Sequence, residues 1–230
     1  MKKYSFICAA VFAGSAFGQS SVTLFGALDV NLTHTRQADA SRTFMGNSGH
    51  QSSLFGLRGL EDLGNGRHVG FWLESSIKGS AGGAGGATTE NSSAFFNRRA
   101  TLSMAGPWGE FRLGRDYTPS FWNDAIFDPF STEGIGSAHI TAMHGTNWGT
   151  GGDDGLYVRS SNSLSWLWGF KPNEHPYVGM DGFYSQLTYA FPTGSGDDRS
   201  NRYVGARLGY KGQAFNVAVS YSKSKGPAAA

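Results

Sequence analysis

Between residues 22 and 33 the chain alternates without interruption. Val22, Leu24, Gly26, Leu28, Val30 and Leu32 fall on one face of an extended strand, and Thr23, Phe25, Ala27, Asp29, Asn31 and Thr33 fall on the other. A period of two held over such a length marks a strand whose two faces meet different surroundings, and roughly 9 to 11 residues suffice for a tilted strand to cross a bilayer. After residue 18 no apolar run approaches the roughly 18 to 20 residues that a membrane-crossing helix needs. Hydrophobic residues reach only 39% of the chain, whereas glycine contributes 34 residues and aromatics 14%. A sheet with lipid on one side and water on the other needs apolar side chains on one face alone. The pattern therefore predicts an all-β, transmembrane antiparallel barrel.

The same alternation recurs along the chain. Residues 54–59 and 67–76 flank a turn at 61–66 that contains Asn65-Gly66, a strong hairpin signal. Further strands are predicted at 95–105 and 110–116 around Gly106-Pro107-Trp108-Gly109, then at 156–168, 182–191, 202–210 and 213–223, nine in all. Their connections differ by parity. Short turns at 61–66, 106–109 and 211–212 and a moderate connection at 169–181 alternate with longer polar loops at 35–51, 77–94, 117–155 and 192–201. Outer-membrane barrels sort their loops in this way, short on the periplasmic side and long outside. The tract Gly82-Gly83-Ala84-Gly85-Gly86 lacks the following Lys-Ser/Thr and helix of a phosphate loop, and reads as loop material.

Residues 1–18 carry a different signal. Lys2 and Lys3 precede an apolar run that ends in Ala16-Phe17-Gly18, the pattern of a cleaved secretory signal peptide. Removing it leaves 17 basic against 17 acidic residues in 19–230, so neither nucleic acid nor another polyanion is implied as a partner. The only cysteine, Cys8, lies inside this leader, so the exported chain is expected to hold no disulfide.

Several stretches taken together resemble the general porins of Gram-negative bacteria, particularly the β-proteobacterial type. They are Ser20-Ser21-Val22-Thr23-Leu24-Phe25-Gly26-Ala27-Leu28-Asp29, Phe55-Gly56-Leu57-Arg58-Gly59-Leu60-Glu61-Asp62-Leu63-Gly64, Phe71-Trp72-Leu73-Glu74-Ser75, Phe96-Asn97-Arg98-Arg99-Ala100 and Leu113-Gly114-Arg115-Asp116-Tyr117. The resemblance implies a homotrimer of sixteen-stranded barrels in the outer membrane, in contact with its lipid and lipopolysaccharide and inserted by the barrel-assembly machinery. It implies passive diffusion of small hydrophilic solutes and ions through a water-filled channel, without cofactor, metal or catalytic group. Nine strands fall short of closing such a barrel, and 226–230 do not supply the terminal aromatic residue that the family implies. The sequence is thus expected to be the N-terminal part of a longer porin.

By motif position Arg58, Arg98 and Arg159 match arginines that line the channel wall, and Asp29 and Glu74 fall on the inward face of their strands. Loop 117–155 is the expected inward-folded constriction, with Asp124, Asp128 and Glu133 as its acidic candidates. Glu90 resembles a latch onto a neighbouring subunit. Related sequences read Ser-Arg-Phe-Gly where this one has Ser53-Leu54-Phe55-Gly56, so one basic rung is missing and the sign of ion selectivity stays open. Residues 96–104 leave a second choice: Arg98 turns inward, or the apolar Phe96, Ala100, Leu102 and Met104 take it outward and leave Asn97 and Arg99 in the pore. Two other functions fit the fold. A solute-specific or adhesive barrel would keep it, and a barrel hydrolase would need a catalytic set such as His139 or His144 with Asp153, Asp154 and Ser137, although no nucleophile-elbow or zinc-protease motif accompanies them.

Overall fold

The computed structural model describes residues 21–38, 40–86, 93–134, 157–176, 179–193 and 201–225. The leader 1–18, Glu90, and His139, His144, Asp153 and Asp154 of the longest loop lie outside the described residues.

Nine antiparallel strands form one continuous wall: β1 (Ser21–Ala27), β4 (Leu54–Gly64), β5 (Arg67–Lys78), β7 (Arg99–Gly106), β8 (Gly109–Tyr117), β9 (Arg159–Trp168), β10 (Gly182–Ala190), β11 (Arg202–Lys211) and β12 (Asn216–Lys225). The count agrees with the alternation, and among the described residues β1 and β12 stand at the two ends of the wall without pairing to each other. In lipid every backbone N–H and C=O must be paired, so a wall of this kind is stable as part of a closed barrel. A two-residue strand, β6 (Gly83–Ala84), pairs with the end of β5.

The faces separate as the period of two requires. On β7, Arg99, Thr101, Ser103 and Ala105 are buried on the inner face, whereas Leu102 and Met104 are exposed on the outer face. On β8 the inner set is Glu110, Arg112 and Asp116 and the outer set includes Phe111 and Leu113. On β11, Tyr203 and Arg207 face inward while Val204 and Leu208 face outward. The usual arrangement of a soluble domain is inverted: apolar side chains lie on the exposed surface, and the buried layer is largely polar. The β4–β5 turn has Asn65 and Gly66 at φ 54 and 69, the left-handed pair that a tight hairpin turn demands. Gly114 in β8 has φ 123, and a Cβ there would stand 2.1 Å from the Ala100 carbonyl oxygen, so only glycine fits.

Four sequence expectations need correction. The 22–33 strand breaks at Leu28-Asp29: β2 (Val30–Gln37) leaves the wall and pairs with β3 (Ala40–Asn47), where a loop at 35–51 was expected. The cause is Asp29, whose carboxylate accepts hydrogen bonds from the backbone N–H groups of Gly49, His50 and Gln51, while its carbonyl accepts from the Ser53 hydroxyl. Residues 95–98 are not strand, because the Asn97 side chain, rather than a ladder partner, accepts the Ser76 N–H. The last hairpin turn covers 212–215 and is closed by Gly212 N–H donating to the Phe215 carbonyl, so β12 starts at Asn216 instead of 213.

The fourth correction is a helix, α1 (Pro119–Phe127), at the start of the longest loop. Thr118 caps it by accepting from the Phe121 N–H, and Pro119 occupies the first turn, where its missing N–H costs nothing. Phe121, Trp122 and Ala125 are buried and pack with Tyr117. The helix lies against β10, β11 and β12, so the chain folds across the inner side of the wall after β8.

Candidate functional site

The inner wall carries a band of arginines. Arg58 lies on β4, opposite Trp72 of β5 in the ladder, with its guanidinium 5.0 Å from the Trp72 ring and 5.9 Å from the Phe25 ring. Arg99 on β7 is fully buried, its guanidinium 4.3 Å from the Trp72 ring and 3.3 Å from an Asp116 oxygen. Arg112 on β8 donates to Glu110 at 2.8 Å and to Asp116 at 3.2 Å, so Asp116 is shared by two guanidinium groups. Arg207 on β11 stands over Tyr184 and Phe170.

Arg98 resolves the choice left by the sequence in an unforeseen way: both Arg98 and Arg99 point inward. Parity would send one of two neighbours outward in a regular strand. Arg98 precedes β7 in a bend, so its side chain is free to turn in. There its Nε is 2.5 Å from Glu74 Oε1, and its terminal nitrogen donates to the Tyr117 hydroxyl at 2.8 Å. Arg159, at the start of β9, donates to the same hydroxyl at 2.7 Å and stacks 4.2 Å over the Tyr117 ring. Glu74 is 1% exposed and also accepts from Trp72 Nε1 at 3.1 Å.

These groups border a cavity of about 240 Å³ toward the long-loop end, lined by Glu74, Arg98, Arg159, Tyr117, Trp122, Leu54 and Glu133. Four of the candidates, Glu74, Arg98, Arg159 and Glu133, therefore meet at one place. Arg58 lines a second cavity, of about 560 Å³, toward the short-turn end, together with Lys171, Glu174, His175 and Lys211. Leu54, at the position of the basic rung missing from the sequence, lines the first cavity.

The other candidates lie elsewhere. Asp29 is at the strand break, outside both cavities, where donation from the Gln51 and His50 N–H groups holds its carboxyl below the usual carboxylate range. Asp128 caps the end of α1 and accepts from the N–H groups of Phe130 and Thr132. Asp124 lies on α1 and its carbonyl accepts from the Asp128 N–H. Among the described residues no cluster of three or more His, Cys, Asp or Glu side chains could hold a metal ion.

Sequence reasoning offered Arg99 only as the alternative to Arg98, and did not single out Arg112, Arg207, Glu110, Asp116 or His175. Arg99, Arg112, Arg207, Glu110 and Asp116 stand at inward positions of strands whose alternation is clear, so parity applied to charged residues would have found them. His175 has no comparable local signal. Its ring lies 4.5 Å from Trp72 and 5.4 Å from Trp122, and 3.9 Å separates it from a Glu74 oxygen. Burial, followed by the nearby Arg99 charge, lowers its pKa to about 4 and keeps the imidazole neutral at pH 7.

Among the described residues, six arginines of the inner side (Arg58, Arg98, Arg99, Arg112, Arg159, Arg207) stand against three wall carboxylates (Glu74, Glu110, Asp116), with Glu133 and Glu174 on the segments folded inside. A wall with this excess, facing away from an apolar exterior, sets up a positive field along its inner side. The arrangement suits the passage or holding of small anions and polar solutes.

Known proteins fit this geometry. The sequence matches the family described as Gram-negative porin over residues 5–229. It is 38% identical to outer membrane porin protein 32 of Delftia acidovorans over 233 aligned residues, which cover 98% of this chain and 60% of that protein. An outer membrane porin of Bordetella pertussis is 32% identical over 145 residues, 56% of this chain and 36% of that one. Among solved structures, an anion-selective porin from Comamonas acidovorans superposes with a TM-score of 0.70 at 35% identity, covering 91% of this chain and 59% of that one. The chain thus spans about three fifths of the length of the Delftia and Comamonas proteins.

Proposed function

Because the chain belongs to the family of Gram-negative porins of the outer membrane, we propose that it forms part of a passive diffusion channel for small hydrophilic solutes, with a preference for anions. The observation that carries this reading is the inner wall itself: among the described residues, six inward arginines against three wall carboxylates, behind an apolar outer face. In a narrow passage bounded by low-dielectric walls, fixed charge acts on passing ions more strongly than it would in open water. An anion meets Arg98 and Arg159 beside Tyr117 and then Arg58, whose contacts among the described residues are the rings of Phe25 and Trp72. The Comamonas protein is described as anion-selective, and the excess of arginine here supports the same sign for this chain even with Leu54 in place of one basic residue.

In this reading α1 and the following residues to Glu133 narrow the passage from the long-loop end, with Glu133 placed opposite the arginines as the acidic side of a transverse field. A homotrimeric assembly, contact with lipopolysaccharide, insertion by the barrel-assembly machinery and cleavage after Gly18 belong to the same proposal, as does Glu90 as a subunit latch.

Liposome swelling tests the channel directly. Vesicles carrying the full-length protein should swell in small sugars at rates that fall steeply with solute size. Swelling no faster than protein-free vesicles for every solute would refute a diffusion pore.

A further inference from the structure

The connection between β9 and β10 lies at the short-turn end, together with the turns at 65–66, 107–108 and 212–215. A two-residue turn would have sufficed there. Instead residues 170–176 fold back along the inner wall, held by four hydrogen bonds to three of its strands, β4, β8 and β11. Asn173 donates its side-chain amide to the Gly59 carbonyl at 2.8 Å and its backbone N–H to Glu110 at 3.2 Å. Arg112 donates to the Glu174 carbonyl at 2.7 Å, and Arg207 to the Pro176 carbonyl at 3.0 Å. The base is closed by Met180 N–H donating to the Gly169 carbonyl at 2.7 Å. Buried guanidinium groups are thus used to fix irregular backbone, which within a membrane protein is tolerated where it lines an interior cavity.

On the inner side of the wall, the His175 ring lies 4.5 Å from the Trp72 ring of β5. His175 meets Trp122 of α1 at 5.4 Å, so an insert from the short-turn end touches the insert from the long-loop end. His175 also borders both cavities, the one of about 240 Å³ and the one of about 560 Å³. Groups of opposite sign surround it: Glu74 from β5, Arg99 from β7, and Arg112 and Asp116 from β8.

We propose that residues 170–176 are a second constriction, entering from the end opposite to α1, in which the His175 side chain divides the lumen and sets the size limit for solutes passing between the two cavities. This rests on the channel reading above. His175 acts by occupying space on the path, and Glu174 and Lys171 place one charge of each sign at the mouth of the larger cavity.

Single-channel recording of the full-length protein with two variants tests it. His175→Ala should raise the conductance and shift the exclusion limit in liposome swelling toward larger sugars. Lys171→Cys, in a background without other accessible cysteines, should lose current when coupled to a bulky thiol reagent. Wild-type conductance and exclusion limit in a correctly assembled His175→Ala protein would overturn the proposal. So would coupling at Lys171→Cys without loss of current, and this second result decides the matter if the alanine variant does not assemble. A wild-type protein that passes no current would instead remove the channel reading on which the proposal stands, so the two failures are distinguishable.

Discussion

Neutralising Arg58 should move ion selectivity toward cations by an amount that depends on salt. Arg58 touches only two rings among the described residues and borders the larger cavity, so its charge is not spent on a carboxylate. An ion passing about 5 Å from a unit charge in water feels about 0.8 kcal/mol, which is a factor of about 4 in local concentration. Arg58→Gln therefore lowers anion permeability and raises cation permeability by up to about fourfold each. Screening sets the condition for seeing it: the Debye length is about 10 Å at 0.1 M salt and about 3 Å at 1 M. The zero-current potential across a planar bilayer under a salt gradient should shift clearly near 0.1 M and much less near 1 M. The fold should survive, since the lost contacts with Trp72 and Phe25 are each worth roughly 0.5–1 kcal/mol at a partly exposed site. An unchanged zero-current potential at low salt, in a variant that assembles normally, would refute the placement of Arg58 on the ion path.

Two further outcomes follow from the buried groups. Arg98→Met leaves Glu74 buried without its counter-ion and should cost about 3 kcal/mol or more, while adding Glu74→Gln should restore part of that loss. Guanidinium unfolding of both single variants and the double variant measures the coupling, and strictly additive losses would contradict a working ion pair. His175 gives a pH effect with a definite sign. Its folded-state pKa of about 4 lies below the unfolded value near 6.5, so the unfolded chain binds the extra proton and stability falls as pH drops from about 6.5 toward 4, by at most about 1.4 kcal/mol per unit. The unfolding midpoint should decline between pH 6.5 and 5 in the wild type and decline less in His175→Ala; parallel curves would contradict a lowered His175 pKa.

What could be read in the sequence was whatever depends on local period. Alternation at 22–27 and 202–210 gave the strands and their faces, and Asn65-Gly66 gave a turn, because strand direction and hairpin geometry are set by neighbours. Thr118-Pro119 carried the signature of a helix start, and α1 could have been found from it. The break at Asp29 was hidden, since its cause is a carboxylate reaching backbone some twenty residues away. Arg98 was ambiguous because parity holds only inside a ladder, and the ladder begins one residue later. Residues 170–176 gave no signal at all: Asn173 bonds Gly59 across 114 residues of sequence, and Glu174 is held by Arg112 across 62. Long-range polar contacts of this kind leave no periodic trace.

This chain is proposed to contribute to an open, water-filled and anion-preferring pore. Planar-bilayer recording of the full-length protein under a potassium chloride gradient tests it in one measurement. Stepwise, ohmic conductance increments with a zero-current potential on the chloride side are predicted. Inserted, folded protein that produces no conductance steps, or steps whose zero-current potential lies on the potassium side, would contradict an anion-preferring pore.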